Sequence, residues 1–226
     1  MNFFQSTLTV SVLSIAFVSC KKENVTKPVV PVASTIQTCL KFNGNLTDST
    51  GKLATANQTG AISYTTDHNG NVNRALFLDG ASKVVFPGLD LKGKAMTISL
   101  WVKYGSTGGG AKSYLTAINA NGGPSLYQVI DKLGTSVSLP NTNSVLGSAT
   151  LDATWHHFAT TYDGVDIKVY EDGVLTGTVN HPGSMGDGVR DLVIGFSNAF
   201  WGGALDELRI YNTVMTPGDI QQLAAQ

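Results

Sequence analysis

The sequence predicts an all-β domain, an antiparallel two-sheet jelly-roll sandwich with one short C-terminal helix. Three observations lead to this fold class. The segment Met96–Tyr104 alternates apolar and polar residues with a period of two, which indicates a strand with one buried face. Two alternating runs flank Asp172-Gly173, a pair that suits the positive φ angles of a type I′ hairpin turn. No long helical period occurs before the C-terminus, and many short strands separated by turns are typical of sandwiches.

The remaining elements follow from local composition and turn residues. Short runs rich in β-branched and aromatic residues predict strands at Cys39–Phe42, Ala75–Leu78, Lys83–Phe86, Tyr114–Ile118, Trp155–Tyr162 and Gly203–Tyr211. The turn Asp163-Gly164 joins the strand before it to the hairpin, so three successive strands form a meander. Thr216 suits the N-cap of a helix, with Pro217 at the first helical position and Asp219 completing a capping box.

Composition limits the domain count and the classes of partner. The 226 residues suit one sandwich domain. Charged residues make up only 14%, against about 25% in a typical soluble domain. Lys and Arg number 15 and Asp and Glu number 16, for a formal net charge of −1. This balance argues against nucleic acid as a partner, because no surplus of cations exists to displace counterions from phosphates.

The N-terminus predicts export. The eleven-residue apolar run Leu8–Val18 is too short for a bilayer, which takes about 20 residues, and matches the hydrophobic region of a secretory signal. Ser19-Cys20 after this run resembles the lipobox of bacterial lipoproteins, which implies a signal peptide over 1–19 and an acylated Cys20. Residues 20–34 then form a linker and 35–226 the folded domain. We expect attachment to the outer membrane or cell surface through the lipid only; an ordinary cleaved signal is the alternative.

Five segments carry a family resemblance. They are Phe42–Gly51, Ala75–Gly80, Thr97–Val102, Trp155–Gly164 and Phe200–Asn212. Their order and spacing resemble the laminin-G-like, concanavalin A-like family over about residues 37–223. The resemblance implies a jelly roll, which agrees with the strands predicted above. Members of the family bind sugars, bind proteins or accompany enzymes as accessory modules, so the fold alone does not decide function.

The resemblance also implies a structural calcium ion near the chain termini. The matching residues are Asp206 in the last strand and the turn that contains Asn43, Asn45 and Asp48, with Asp79 as a weaker candidate. Calcium prefers six to eight oxygen ligands, and this turn is rich in oxygens. Pairing of the first strand with the last would bring the turn to Asp206. The alternative is that these side chains form Asx turns with their own backbone.

Sugar contact is predicted where aromatic rings stand beside polar groups. The candidates are Tyr114, Tyr127, Phe200 and Trp201, with polar partners at Asn119, Asn121 and Asn198. The glycine-rich segment Gly105–Pro124 has no strong family pattern and is a suitable place for specificity. The alternative for Phe200 and Trp201 is a role in the core.

The sequence does not contain the residue patterns expected of a catalytic site. Glycoside hydrolases of this fold use two Glu on one strand, whereas residues 35–226 contain only Glu171 and Glu207, on different predicted strands. Adjacent His156 and His157 point to opposite faces of a strand and cannot chelate one ion together. The sequence therefore predicts an exported, non-catalytic binding module for a polysaccharide or other glycan. A protein-interaction module that binds a surface protein is the alternative, and a glycoside hydrolase-like enzyme is third.

Overall fold

The computed structural model describes residues 36–91, 95–105, 112–119, 124–131, 134–138, 145–147, 152–183, 188–195 and 201–226. All of them belong to the unit Val32–Gln226. For the strands between residues 112 and 147, the backbone path and pairing are described. Phe200, Asn121, Asn198 and Cys20 lie outside the described residues.

The described secondary structure consists of strands and one helix. In chain order, the elements are β1 Ile36–Leu40, β2 Asn57–Thr59, β3 Ile62–Thr65, β4 Ala75–Asp79, β5 Lys83–Leu91, β6 Met96–Tyr104, β7 Lys112–Asn119, β8 Pro124–Asp131, β9 Gly134–Ser138, β10 Val145–Gly147, β11 Trp155–Tyr162, β12 Asp166–Glu171, β13 Val174–Asn180, β14 Gly188–Ile194, β15 Gly202–Tyr211 and α1 Pro217–Leu223.

The strands form two antiparallel sheets, as the sequence predicts. The first sheet has the order β13-β12-β11-β6-β15-β4-β3, and β1 also pairs with β15. The second sheet has the order β10-β9-β8-β7-β14-β5-β2. The meander of β11, β12 and β13 lies at one end of the first sheet, and its Asp172-Gly173 turn has positive φ at both residues, as a type I′ turn requires.

The first and last strands lie side by side. Leu40 pairs with Leu208 and Ile36 with Tyr211, while the earlier half of β15 pairs with β4 instead. The change of partner coincides with a bulge after Asp206, where Glu207 adopts a φ of 47°. This irregular point in a central strand is where Asp206 lies.

The main core consists of apolar side chains from both sheets. Strand β6 contributes Met96, Ile98, Leu100 and Val102, the alternating set that the sequence predicts. Its other face was expected to be polar and exposed, yet Thr97 and Ser99 are also buried. The reason is that the C-terminal segment covers this outer face. A second apolar cluster there joins the sheet residues Ala159 and Tyr170 to the C-terminal residues Met215, Ile220 and Leu223.

The C-terminal helix begins where its capping residues predict. The Thr216 hydroxyl accepts a hydrogen bond from the Asp219 N–H, and the Asp219 carboxylate accepts one from the Thr216 N–H. Pro217 occupies the first turn, and Ile220 and Leu223 are the buried residues. In the described part of the chain, no helix has the length and apolar character needed to cross a membrane.

Candidate functional site

A groove of about 500 Å³ opens on the surface beside β3 and the segment that follows β1. It is lined by Leu46, Thr47, Asp48, Gly51, Leu53, Ala54, Thr55, Ala56 and Tyr64. Tyr64 is half-buried and packs against the main core, and burial raises the pKa of its phenol. Thr47 and Thr55 are exposed. The groove therefore combines one aromatic ring, apolar walls and hydroxyl groups, a combination suited to a small polar ligand with apolar faces.

Asp48 closes the wall of this groove with a dense set of hydrogen bonds. Its Oδ1 accepts from the N–H groups of Cys39 and Thr50, at 2.8 and 3.1 Å. Its Oδ2 accepts from the Thr50 hydroxyl and from the N–H groups of Lys52 and Leu53. Burial alone would raise the pKa of Asp48, but hydrogen bonds from Cys39, Thr50 and Leu53 outweigh it and lower the pKa. Asp48 thus fixes the turn that shapes the groove.

The other oxygens predicted for calcium also have protein partners. Asn45 donates through Nδ2 to the Asn43 carbonyl and accepts from the Thr47 N–H, as in an Asx turn. Oδ1 of Asp79 accepts from the Ala81 N–H and the Ser82 hydroxyl, both at 2.8 Å. The arrangement expected from the Asx-turn alternative is present at Asn45 and Asp79.

Asp206, the last-strand residue predicted for calcium, pairs with the histidine of the β3–β4 loop. His68 Nδ1 lies 2.5 Å from Asp206 Oδ2, and both side chains are nearly buried. The His68 ring stacks on Trp101 with centroids 4.4 Å apart. The loop that carries His68 is held by Asp67, whose Oδ1 accepts from the N–H groups of Asn69 and Asn71. This contact latches the β3–β4 loop to the outer face of the first sheet.

Calcium binding stays a prediction. The carboxylates of Asp48 and Asp206 already take part in hydrogen bonds, and an ion at this turn would have to bind in addition to these contacts. If calcium binds, the melting temperature is expected to be higher in millimolar Ca²⁺ than in a chelator, because a ligand that binds only the folded state stabilises it by mass action. Equal melting temperatures under the two conditions would contradict calcium binding and would mean that hydrogen bonds alone stabilise the turn.

The predicted sugar-binding aromatics separate into two groups. The Trp201 side chain is 0% exposed and belongs to the main core, so the expected surface platform at this residue is corrected to a core position. The physical reason is that Trp201 directly precedes β15, a central strand whose inner face is covered by the second sheet. Tyr114 and Asn119 lie in β7 and Tyr127 in β8 of the second sheet. Sugar contact at these three residues stays a prediction.

The two adjacent histidines lie on opposite faces, as the alternation predicts. His156 pairs across the sheet with the core residue Val102, and His157 with Trp101 of the outer face. Nδ1 of His156 lies 2.8 Å from Asp172 Oδ2 and 3.7 Å from Glu171 Oε1. Burial alone would lower the pKa of His156, but Asp172 and Asp152 outweigh it and raise the pKa. His156 thus lies in an acidic cluster.

His157 forms a hydroxyl–imidazole pair that lacks access to solvent. Ser99 Oγ lies 2.8 Å from His157 Nε2, and both residues are 1% exposed. Burial, with repulsion from Arg209 and His68, lowers the pKa of His157 to about 4. The described residues place no carboxylate on the other ring nitrogen, Nδ1, which a hydrolytic triad would need. The pair is therefore a buried structural contact.

Sequence reasoning missed three features of this surface. The latch between His68 and Asp206 joins residues 138 positions apart, and no spacing rule predicts it. The groove beside Tyr64 depends on how the β1–β2 segment lies against β3. The acidic cluster around His156 depends on strand pairing. For the His68–Asp206 contact, the sequence does contain one signal: Asp67-His68-Asn69-Gly70 is typical of a tight turn that presents a side chain.

Comparisons with known proteins agree with this architecture. A family model described as the Concanavalin A-like lectin/glucanases superfamily matches residues 78–221, more than half of the chain. Curated proteins give no match. Among solved structures, domain 4 of AbnA, a GH43 extracellular arabinanase from Geobacillus stearothermophilus, has a TM-score of 0.63 at 23% identity. The match covers 84% of this chain and 98% of that domain, which was solved in complex with arabinotriose.

Toxin domains share the same fold. The receptor binding domain of the botulinum neurotoxin C/D mosaic serotype has a TM-score of 0.70 at 13% identity, covering 85% of this chain and 51% of that one. A botulinum neurotoxin type C structure, whose cell entry depends on interaction with two ganglioside molecules, has a TM-score of 0.68 at 13% identity, covering 86% and 51%. The chain spans about half the length of these toxin structures. At such identities, the likeness shows the fold.

Proposed function

The chain belongs to the Concanavalin A-like lectin/glucanases superfamily, and from this membership we propose that it is a non-catalytic module that binds a glycan. The observation that carries the proposal is the likeness to an arabinanase domain that holds arabinotriose, because nearly the whole of that domain matches this chain. Gangliosides, which carry sugars, are named for one of the toxin structures. Both neighbours support a carbohydrate ligand over a protein ligand.

The groove beside Tyr64 is the site that we assign to the glycan. Sugar rings have apolar faces that pack on aromatic side chains and hydroxyls that bond to polar groups at the rim. Tyr64 supplies the ring, and Thr47 and Thr55 supply exposed hydroxyls. The hydrogen bonds that Asp48 accepts from the surrounding backbone hold the wall in place before a ligand arrives, which reduces the entropy cost of binding.

The absence of catalysis is part of the proposal. Glu171 lies at the end of β12 and Glu207 lies in β15, so they do not form the paired carboxylates of a glycosidase on one strand. The serine and histidine that approach each other, Ser99 and His157, are buried. We further propose export and attachment through an acylated Cys20. This would place the module at the outer membrane or cell surface, where polysaccharides are accessible to it.

The test is a glycan array probed with the fragment that begins at Ala33, followed by titration with the best ligand. We expect Tyr64→Ala to weaken binding at least about tenfold, close to 1.4 kcal/mol, because the stacking surface is lost. Tyr64→Phe keeps the ring and is expected to retain most of the affinity. Calorimetric titration measures both, and circular dichroism confirms that each variant is folded.

Phe77→Ala is the matched control for this experiment. Phe77 is an aromatic residue of the neighbouring strand, 37% exposed, and it pairs with Ser63 on the face opposite to Tyr64. Its loss is expected to leave glycan affinity unchanged.

The contrary outcomes are distinct. No binding to any glycan on the array, together with capture of a surface protein, would favour the protein-interaction alternative. Release of sugar from a polysaccharide would overturn the non-catalytic assignment, and alanine variants of Tyr114, Tyr127 and Asn119 test the other predicted contacts.

A further inference from the structure

The end of the β11–β12 hairpin brings together one imidazole and three carboxylates. His156 lies near the start of β11, Glu171 ends β12 and Asp172 opens the turn that follows. Asp152 precedes β11 and approaches the same imidazole from its other side, with Oδ1 3.3 Å from Nε2. Three carboxylates around one imidazole leave the group negatively charged even when the ring is protonated. A cation would relieve the mutual repulsion of these carboxylates.

Three of these side chains are spaced as ligands of a single ion. Nδ1 of His156, an Oε of Glu171 and an Oδ of Asp172 all lie within 4.8 Å of one another. An ion bonded at about 2.0–2.2 Å to nitrogen and oxygen needs ligand atoms roughly 3–4 Å apart. The distances of 2.8 and 3.7 Å from Nδ1 to the two carboxylates are close to this range. Small side-chain adjustments would complete the coordination.

The surroundings support coordination through Nδ1. The opposite ring nitrogen, Nε2, lies 3.0 Å from the Thr154 hydroxyl, which also contacts Asp152. Histidines that bind metals usually donate their second N–H in this way, and the partner fixes the ring orientation. Asp172 is held by a second contact, since its Oδ1 accepts from the His157 N–H at 2.8 Å. Two of the three ligating side chains, His156 and Asp172, are thus positioned by other contacts before any ion arrives.

We propose that His156, Glu171 and Asp172 form a binding site for a divalent transition-metal ion such as Zn²⁺. An imidazole nitrogen favours such ions over calcium, which prefers oxygen ligands alone. The Glu171 side chain is 10% exposed and that of His156 is 16%, whereas Asp172 is 50% exposed and leaves an entry path from solvent. The site is separate from the turn predicted for calcium, which contains Asp48.

The experiment is calorimetric titration of ZnCl₂ into the purified full-length protein at pH 8. We expect one site, and we expect Glu171→Gln and Asp172→Asn each to weaken it strongly. Asp172→Asn preserves the acceptor for the His157 N–H and tolerates the left-handed backbone of the turn, where φ is 48°. Asp152→Asn alters the outer partner and is expected to weaken binding about 10–100-fold.

Two controls make the result decisive. His181→Asn removes another partly exposed imidazole outside the cluster and is expected to leave Zn²⁺ affinity unchanged. Nuclear magnetic resonance of the imidazole side chains should show a Zn²⁺-dependent shift at His156 alone. Equal Zn²⁺ affinity in the wild type and Asp172→Asn, no binding, or binding of Ca²⁺ in preference to Zn²⁺ would overturn the proposal. The cluster would then be a hydrogen-bonded cap of the hairpin.

Discussion

Replacing Trp201 with alanine is expected to lower the free energy of unfolding by about 3–5 kcal/mol. The indole is 0% exposed and packs within the main core, so its removal leaves a large cavity between the sheets. The ring also lies against the backbone of Gly203, where a Cβ atom would come within 2.7 Å of it. The loss is a large share of the stability of a typical domain. Urea denaturation followed by tryptophan fluorescence and circular dichroism measures it.

Phe77→Ala is the control for the size of this effect. Phe77 is an aromatic residue of the same sheet that is 37% exposed, so its truncation is expected to cost well under half as much. Glycan binding by Trp201→Ala is measured at a temperature where the variant is still folded, and it is expected to match the wild type. Unchanged stability with lost glycan binding would contradict the core position and restore the predicted sugar contact at this residue.

Replacing Asp48 with alanine is expected to lower the free energy of unfolding by about 2–4 kcal/mol, because several hydrogen bonds lose their shared acceptor. The N–H groups of Cys39, Lys52 and Leu53 all donate to this carboxylate. Cys39 lies in β1, so the change also weakens the link between the first strand and the turn that lines the groove. Asp48→Asn keeps one acceptor oxygen and is expected to cost less. Thermal and urea denaturation measure both.

The contribution of Asp48 depends on pH with a definite sign. Hydrogen bonds lower the pKa of this carboxyl in the folded state, so the unfolded state takes up its proton first as the pH falls. The stabilisation is therefore complete above the unfolded pKa of about 3.9 and is lost as the pH falls through the lower folded value. Wild type and Asp48→Asn should converge in stability in that range. Asp191→Asn, an exposed carboxylate in β14, is the control, and equal pH profiles for wild type and Asp48→Asn would contradict this account.

The elements that the sequence predicted correctly are those encoded by neighbouring residues. The strand Trp155–Tyr162 has the predicted bounds, and the helix begins directly after Thr216, as predicted. Both follow from local rules, namely two-residue alternation in strands and side-chain capping of a helix. The first strand was less well predicted: it ends at Leu40, and Phe42 has a φ of 54° that no strand adopts. A buried Phe outside a strand carries the same apolar signal as one inside it.

Alternation and turn chemistry are properties of short segments, so the sequence alone predicts the two-sheet class and the meander. The pairing of the terminal strands was expected from the family resemblance, because those strands are far apart in the chain. Burial and the contacts between distant side chains come from tertiary packing. It placed Trp201 in the core, joined His68 to Asp206, and formed the groove at Tyr64 and the cluster at His156. These outcomes depend on how distant strands and loops cover one another, and residue spacing along the chain carries no record of that.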